Sequence, residues 1–242
     1  MSDFGPGHFT TASTLPFFSD SQLLQVDHFV ATYKCAKNSL GYSKRVAEKI
    51  CEYFNKADNN KNFINIVRFG NVFGSSGSAI TNFLEQINAN NPINLTDVKA
   101  TRYFMTIPEA CNLVLEAGAM GKGGEVFVFD MGEPVKIMDM AEKMIRLSGL
   151  VLGKDIEIKV TGLRPGEKLY EELLASSENT LPTHHPKILR ANVNTFSHKT
   201  IKEQLNLLTE IMIDGDVVGM VRKVKTIVPE YISQNSEFEA LD

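Results

Sequence analysis

Three cysteines in 242 residues, Cys35, Cys51 and Cys111, are too few and too far apart to staple a fold or to surround a zinc ion. They lie in or beside apolar segments, as free thiols do in a reducing cytoplasm, and a cytoplasmic protein is the expectation. No apolar run approaches the roughly 18 residues that a membrane helix needs. Nor does the N-terminus show a basic region followed by an apolar core, so neither a spanning segment nor a leader is expected. A surplus of positive charge is also missing. Lys and Arg number 25 against 29 Asp and Glu, for a net charge of -4, and the basic residues are scattered. That distribution argues against a nucleic-acid partner. There is no internal repeat and no Ser, His and Asp set suited to nucleophilic catalysis. His184 and His185 are adjacent and point to opposite sides of an extended chain, so they cannot chelate one ion; a surface turn before Pro186 is the simpler reading.

What is present is a chain long enough to bury a sizeable core, organised around the stretch Asn62 to Ser78, NFINIVRFGNVFGSSGS. Phe63, Ile64, Ile66 and Val67 form a short, near-continuous apolar run, the pattern of a strand covered on both faces in a parallel sheet. Arg68 ends that run. Gly70, Gly74 and Gly77 then allow sharp turns or a close approach to a ligand, and Asn71, Ser75, Ser76 and Ser78 offer hydrogen bonds. Open α/β sheets bind ligands at such carboxyl ends of strands. The spacing is G-x-x-x-G-x-x-G and not the dinucleotide fingerprint G-x-G-x-x-G, and a ligand loop and a plain surface loop both fit it.

Residues 1–26 carry Gly5, Pro6, Gly7 and Pro16 among Ser and Thr and are expected to be irregular, with one short helix near Ser21. Residues 27–242 hold the ordered portion. His28 to Thr32 reads as a buried strand, and Ser39 caps a helix to about Asn55 with an apolar stripe at Val46, Ala47, Ile50, Tyr53 and Phe54. Strand, helix, strand in that order predicts a right-handed parallel crossover. Further helices are predicted over 79–89, 108–119, 138–148, 200–213 and 217–227. Strands are predicted over 92–96, 102–105, 125–129 and 156–160, and a loop from Gly162 to Glu167 leads into a short helix. The alternation makes the fold class α/β.

The densest polar cluster is Arg164-Pro165-Gly166-Glu167-Lys168. An Arg fork and a Glu acceptor suit a nucleotide diphosphate and its ribose, although a solvated turn with a local ion pair is the simpler reading of the spacing. Arg102, inside the apolar run T-R-Y-F-M, needs either a protein carboxylate or a ligand phosphate if it is buried. Lys34 follows the first strand and Lys44 opens the next helix. Surface lysine is the usual role for each, but all these groups fall on one rim of the inferred sheet.

The order of these motifs resembles a known family. V-R-F-G-N-V-F-G-S-S-G-S at 67–78, T-R-Y-F-M-T-I-P-E-A at 101–110, G-E-V-F-V-F-D-M-G-E-P-V-K-I at 124–137 and G-L-R-P-G-E-K-L-Y-E-E-L at 162–173 look like the polysaccharide-biosynthesis branch of the extended short-chain dehydrogenase/reductases. Its members are UDP-N-acetylglucosamine 4,6-dehydratases, some of them parts of larger membrane-anchored proteins. The resemblance implies a partial Rossmann-like parallel sheet with a small C-terminal substrate-binding lobe. It implies NAD as cofactor, a UDP-sugar as partner, and a homo-oligomer or a complementing N-terminal half as further partners. In the family, NAD takes hydride from C4 of the sugar, a base removes the proton at C5, water leaves from C6 and the hydride returns there. By the same resemblance Thr32 would hold the C4 hydroxyl and Lys34 act as base, Lys44 would contact the nicotinamide ribose, Asn71 and Arg102 the substrate, Arg164 the diphosphate and Glu167 the ribose.

Departures from the family pattern are equally definite. Tyr33 stands where the family has Asp in a Thr-Asp-Lys triplet, and Leu40 falls on the active-site Tyr position, where it cannot exchange a proton. Tyr42 lies on another helical face from Lys44. The strand, glycine-rich turn and helix that hold the NAD pyrophosphate are not seen before His28, and Gly5-Pro6-Gly7 is no substitute because Pro offers no N–H. The expectation is a sheet with roughly half of the family's strands and an open central edge, impaired as an independent dehydratase and able to act as a UDP-sugar-binding module.

Overall fold

The computed structural model describes residues 28–32, 39–56, 64–75, 77–163, 169–170, 179–230, 233 and 237–241, with backbone alone up to residue 43. Strand β1 (His28–Thr32) leads to helix α1 (Ser39–Asn55) and strand β2 (Ile64–Arg68), and β1 pairs with β2 in parallel. The parallel pairing expected of a crossover is therefore present, with the helix beginning at Ser39 itself. Strand β3 (Asn71–Val72), helix α2 (Ala79–Asn88), strand β4 (Ile93–Leu95), strands β5 (Thr101–Arg102) and β6 (Phe104–Met105) and helix α3 (Ile107–Met120) follow. Then come β7 (Val126–Phe129), β8 (Val135–Lys136), α4 (Ile137–Leu147), β9 (Ile158–Val160), β10 (Asn179–Pro182), β11 (Ile188–Asn192), α5 (His198–Asp214) and α6 (Val217–Ile227).

The main sheet has the order β1-β2-β7-β11-β10, parallel across its first three strands and antiparallel across the rest. The side-chain period of two explains why β2 and β7 look continuously apolar: alternate residues serve opposite faces, and both faces are covered. Val67, Phe127 and Phe129 pack with Ala110, Leu113 and Ala117 of α3 on one face. Ile66, Val126 and Val128 pack with Cys51 of α1 on the other. Helices α5 and α6 form a hairpin whose apolar seam, Leu208, Val221, Val224 and Ile227, also receives Val46 of α1.

A second core lies outside the sheet. Phe83 and Ile87 of α2, Ile93 and Leu95 of β4, and Ala141 and Ile145 of α4 close around one another. The parallel pair β4 and β9 supports it. Helix starts follow the capping rule: Ser78 accepts from Thr81 N at α2, Thr106 from Glu109 N at α3, and Ser197 from Thr200 N at α5. Pro108 sits in the first turn of α3, where its missing N–H costs nothing.

Two differences from the sequence reading have clear causes. The run 102–105 is not one strand. Tyr103 interrupts it, so that β5 pairs antiparallel with β8 while β6 pairs in parallel with β3. The hairpin of β10 and β11 was not expected, because neither strand alternates cleanly and β10 ends on Pro182; the main sheet recruits them by antiparallel pairing to the edge of β7. The expected turn at His184, His185 and Pro186 is the connection of that hairpin. Among the described residues β1 is an edge strand. The loop and short helix expected after Gly162 lie largely outside the described residues, as does the irregular 1–26 segment.

Candidate functional site

The four motifs that carry the resemblance meet at one short stretch, residues 101–105. From the first motif, Asn71 reaches Tyr103: its backbone N–H donates to the Tyr103 carbonyl at 2.9 Å and its side-chain Nδ2 donates to the same oxygen at 3.1 Å. The next donor along β3, Phe73 N, reaches Met105 O at 2.9 Å. From the third motif, β8 pairs Val135 with Arg102 and Lys136 with Thr101, and Ile137 N donates to Ala100 O at 2.9 Å. From the fourth, the carbonyl of Leu169 accepts from Thr101 N at 3.2 Å and from Arg102 Nη1 at 3.1 Å. Arg102 Nη1 also donates to Thr101 O at 2.8 Å.

Arg102 is thus half-buried, and its guanidinium fastens the flank of the R-P-G-E-K segment to β5. The sequence reading asked for a carboxylate or a phosphate beside it. Backbone carbonyls supply part of that need, which an Arg fork with five donors can use together with further acceptors. Arg164 and Glu167 themselves lie outside the described residues, and so does Lys34. Thr32 is described by its backbone alone. It ends β1, opposite Arg68 at the end of β2, on the rim from which Gly70 and Asn71 continue.

Gly70 is required for packing and not for a turn. A Cβ built there would meet Met131 Sδ at 2.9 Å and the Tyr103 carbonyl oxygen at 3.0 Å, so the backbone of the β2 exit lies directly against the 101–105 stretch and Met131. Gly74 and Gly77 do the turning, with φ of 74° and 70° in the left-handed region. The loop they shape ends at the Ser78 cap of α2. Beside it Phe73, partly exposed, stacks on Phe104 with ring centroids 4.8 Å apart and planes at 16°. That loop places the half-buried Ser75 and Ser78 at the N-terminus of α2, next to an aromatic platform.

Behind the rim runs a buried ionic network that the sequence reading missed. Glu48 of α1 accepts from Arg68 Nε at 2.9 Å and from Arg68 Nη2 at 2.7 Å, and also accepts from Arg45. Arg45 continues to Glu230, with Nε to Oε1 at 2.9 Å. Arg45, Glu48 and Arg68 are buried together and the half-buried Glu230 closes the network at its outer end, which avoids leaving a buried charge uncompensated. The signal in the sequence is slight: Arg45 and Glu48 share a helix face at i, i+3, and Arg68 ends a buried strand. Burial also pushes the Cys51 thiol up to about 11, and the negative charge of Glu48 adds to the effect.

Lys44, half-buried in the second turn of α1, has its pKa lowered because burial disfavours the ammonium. It is the described residue that the resemblance assigns to NAD. Among the described residues, the glycine-bearing loop between β3 and α2 carries Gly74 and Gly77 in G-x-x-G spacing, and no G-x-G-x-x-G turn links a strand to a helix. The described residues do not assemble a pyrophosphate cradle. They do assemble the polar rim of 68–78, 101–105 and 169. Among them no group of three or more His, Cys, Asp or Glu is placed to hold a metal, and no helix is long and apolar enough to cross a membrane.

Known proteins are similar to this chain. The capsular polysaccharide biosynthesis protein CapD of Staphylococcus aureus is 49% identical over 178 residues, which make up 74% of this chain and 29% of CapD. A UDP-glucose 4-epimerase of Rickettsia bellii is 35% identical over 144 residues, 58% of this chain and 40% of the epimerase. The X-ray structure of Pen from Bacillus thuringiensis aligns with a TM-score of 0.60 at 30% identity, covering 74% of this chain and 61% of Pen. The chain spans well under half the length of these curated relatives. Residues 15–193 match the polysaccharide biosynthesis protein family, and with the Rossmann-like sheet and the converging motifs this establishes that the chain belongs to the polysaccharide-biosynthesis branch of the extended short-chain dehydrogenase/reductases.

Proposed function

We propose that this chain supplies the sugar-nucleotide side of a UDP-N-acetylhexosamine 4,6-dehydratase in polysaccharide or glycan biosynthesis. The observation that carries the reading is the meeting of Asn71, Arg102 and the flank of the Arg164 to Lys168 segment on the 101–105 stretch. Three segments that lie far apart in sequence share one short backbone stretch, and each brings a group suited to a nucleoside diphosphate. Arg164 grips the diphosphate, Glu167 accepts from the ribose hydroxyls, and Asn71 and Arg102 hold the sugar end. Thr32 holds the C4 hydroxyl and Lys34 acts as base at C5. Lys44 meets the ribose of NAD, which supplies hydride transfer when bound. The similarity to the UDP-glucose 4-epimerase of Rickettsia bellii supports UDP-sugar as the ligand class.

A second reading rests on Leu40. With a hydrocarbon at the position aligned to the active-site Tyr, the isolated chain binds the sugar nucleotide and turns nothing over. Calorimetry of the full chain with UDP, UDP-N-acetylglucosamine and NAD, run beside an NMR assay for the 4-keto-6-deoxy product, separates the two. Saturable UDP binding that weakens at least tenfold in Arg102→Ala supports the sugar-nucleotide site. Product formation in the presence of NAD selects the dehydratase, and UDP binding with neither NAD uptake nor product selects the binding module. No UDP binding at millimolar concentration overturns both.

A further inference from the structure

Two exposed apolar surfaces at separate cores of the protein carry opposite charge. The first is the tip of the α5–α6 hairpin. Gly215, at φ 72°, ends α5, and Asp216 caps α6 by accepting from Gly219 N, so only two residues separate the helices. That tight connection sets Met212 and Ile213, in the last turn of α5, beside Val217 and Val218, in the first turn of α6. All four are exposed, Ile213 to 79%. Around them stand Glu210, Asp214 and Asp216, with no cation between 210 and 218, a local charge of -3.

The second surface is the end of α4 and the turn after it. Leu147 is 88% exposed, and Val151 and Leu152 are exposed beside it. This turn is fixed: Leu150 N returns to Ile145 O at 3.2 Å, and the Asp155 carboxylate is occupied by Val151 N at 2.8 Å. Lys143, Arg146 and Lys154 lie within one helical turn or four residues of the patch in sequence, against Asp155, for three positive charges and one negative, a net of +2. The hairpin packs on α1, whereas α4 belongs to the core shared with α2 and β4, and among the described residues neither patch is covered.

We infer that the hairpin tip of one copy docks on the α4 end of a second copy. Burying four branched or thioether side chains against Leu147, Val151 and Leu152 provides the apolar centre, and the acidic rim meets the basic rim, which favours this pairing over tip on tip or patch on patch. The acidic rim likewise disfavours an anionic membrane surface as the occupant of the tip. Because the two surfaces differ, the contact is heterologous: each copy offers both, and the assembly grows head to tail or closes into a ring.

Sedimentation velocity of the full chain over a range of concentrations tests the inference. The wild type is expected to associate beyond a dimer, and less at high salt. Ile213→Glu and Leu147→Glu, both at exposed positions where folding is unaffected, are each expected to weaken association at least tenfold. Mixing the two variants is expected to give a dimer and nothing larger, since each retains one intact surface. A wild type that stays monomeric overturns the inference, as does either variant that still self-associates, or an equimolar mixture that stays monomeric. Uptake of the wild type by vesicles containing anionic lipid, abolished by Leu147→Glu, overturns it in favour of a membrane.

Discussion

Glu48 takes both of its hydrogen bonds to Arg68 across the α1–β2 interface, at 2.9 and 2.7 Å, with the Glu48 side chain 6% and that of Arg68 3% exposed. The carboxylate also accepts from Arg45, so one anion compensates two guanidinium groups directly behind the rim from which Asn71 emerges. The pair fixes the helix that carries Lys44 to the strand that leads into the site.

Glu48→Ala is expected to leave Arg68 and Arg45 buried without their shared partner and to cost about 3–5 kcal/mol. Urea unfolding followed by circular dichroism reads this as a lower midpoint at an unchanged slope. Glu48→Gln, which keeps the shape and part of the hydrogen bonding, is expected to lose less. A midpoint for Glu48→Ala equal to that of the wild type refutes the network as a stabilising element.

At Gly70 the problem is space. Adding one methyl group presses on Met131 Sδ and on the Tyr103 carbonyl, and only the methionine can move aside. Gly70→Ala is expected to cost about 1–3 kcal/mol by overpacking and to weaken UDP binding, because it displaces the 101–105 stretch. Thermal melting and calorimetry on the same sample check both effects. Met131→Ala in the Gly70→Ala background is expected to return part of the melting temperature and not all of it.

Cys51 and Cys111 are expected to behave as opposites toward iodoacetamide at pH 8. Cys111 is exposed on α3 and labels quickly, whereas Cys51 is buried and held as a thiol. Peptide mapping by mass spectrometry distinguishes them. The native thiol of Cys51 titrates near 11 and the unfolded one near 9.0, so its contribution to stability is complete below pH 9 and is lost as the pH rises to 11. Cys51→Ala is expected to flatten that part of the stability profile between pH 9 and 11, and an unchanged slope there refutes the assignment.

Ser78 caps α2 through its hydroxyl, accepting from Thr81 N at 3.3 Å. Ser78→Ala is expected to cost about 1 kcal/mol, and Ser78→Asp is expected to preserve stability through the same bond and the helix dipole. If the cap also faces a diphosphate, the added negative charge of Ser78→Asp weakens UDP binding more than Ser78→Ala does. Paired melting and binding curves of the two variants show whether stability and affinity separate in this way.

Periodicity made much of the fold legible. The extent of α1, the continuous runs of β2 and β7 and the two closing helices are local patterns, and the structure has each of them within a residue or two of its expected bounds. The stripe expected along α1 is not its buried face: Ile50 and Phe54 are exposed, and the helix buries Arg45, Glu48 and Cys51, because the ion pair to Arg68 turns that face inward. The small strands were not legible, since two-residue elements such as β3 and β8 are too short to show any period. Arg68 read only as the end of an apolar run, because its partner sits 20 residues earlier on another element. For the candidate site, the sequence singled out Asn71 and Arg102, but the Tyr103 and Leu169 carbonyls that hold them are backbone groups and leave no trace in residue identity.

Residue order by itself determined the alternation of strands and helices, the capping serines and threonine, and a set of motifs specific enough to assign the family. These are short-range matters, decided by the side-chain period and by the hydrogen bonds a helix end lacks. Only the tertiary structure decided that four motifs spread over a hundred residues converge on 101–105, that Gly70 answers to packing, and that Arg45, Glu48 and Arg68 are buried together. Those outcomes depend on which distant groups are pressed against one another when the sheet and the second core close.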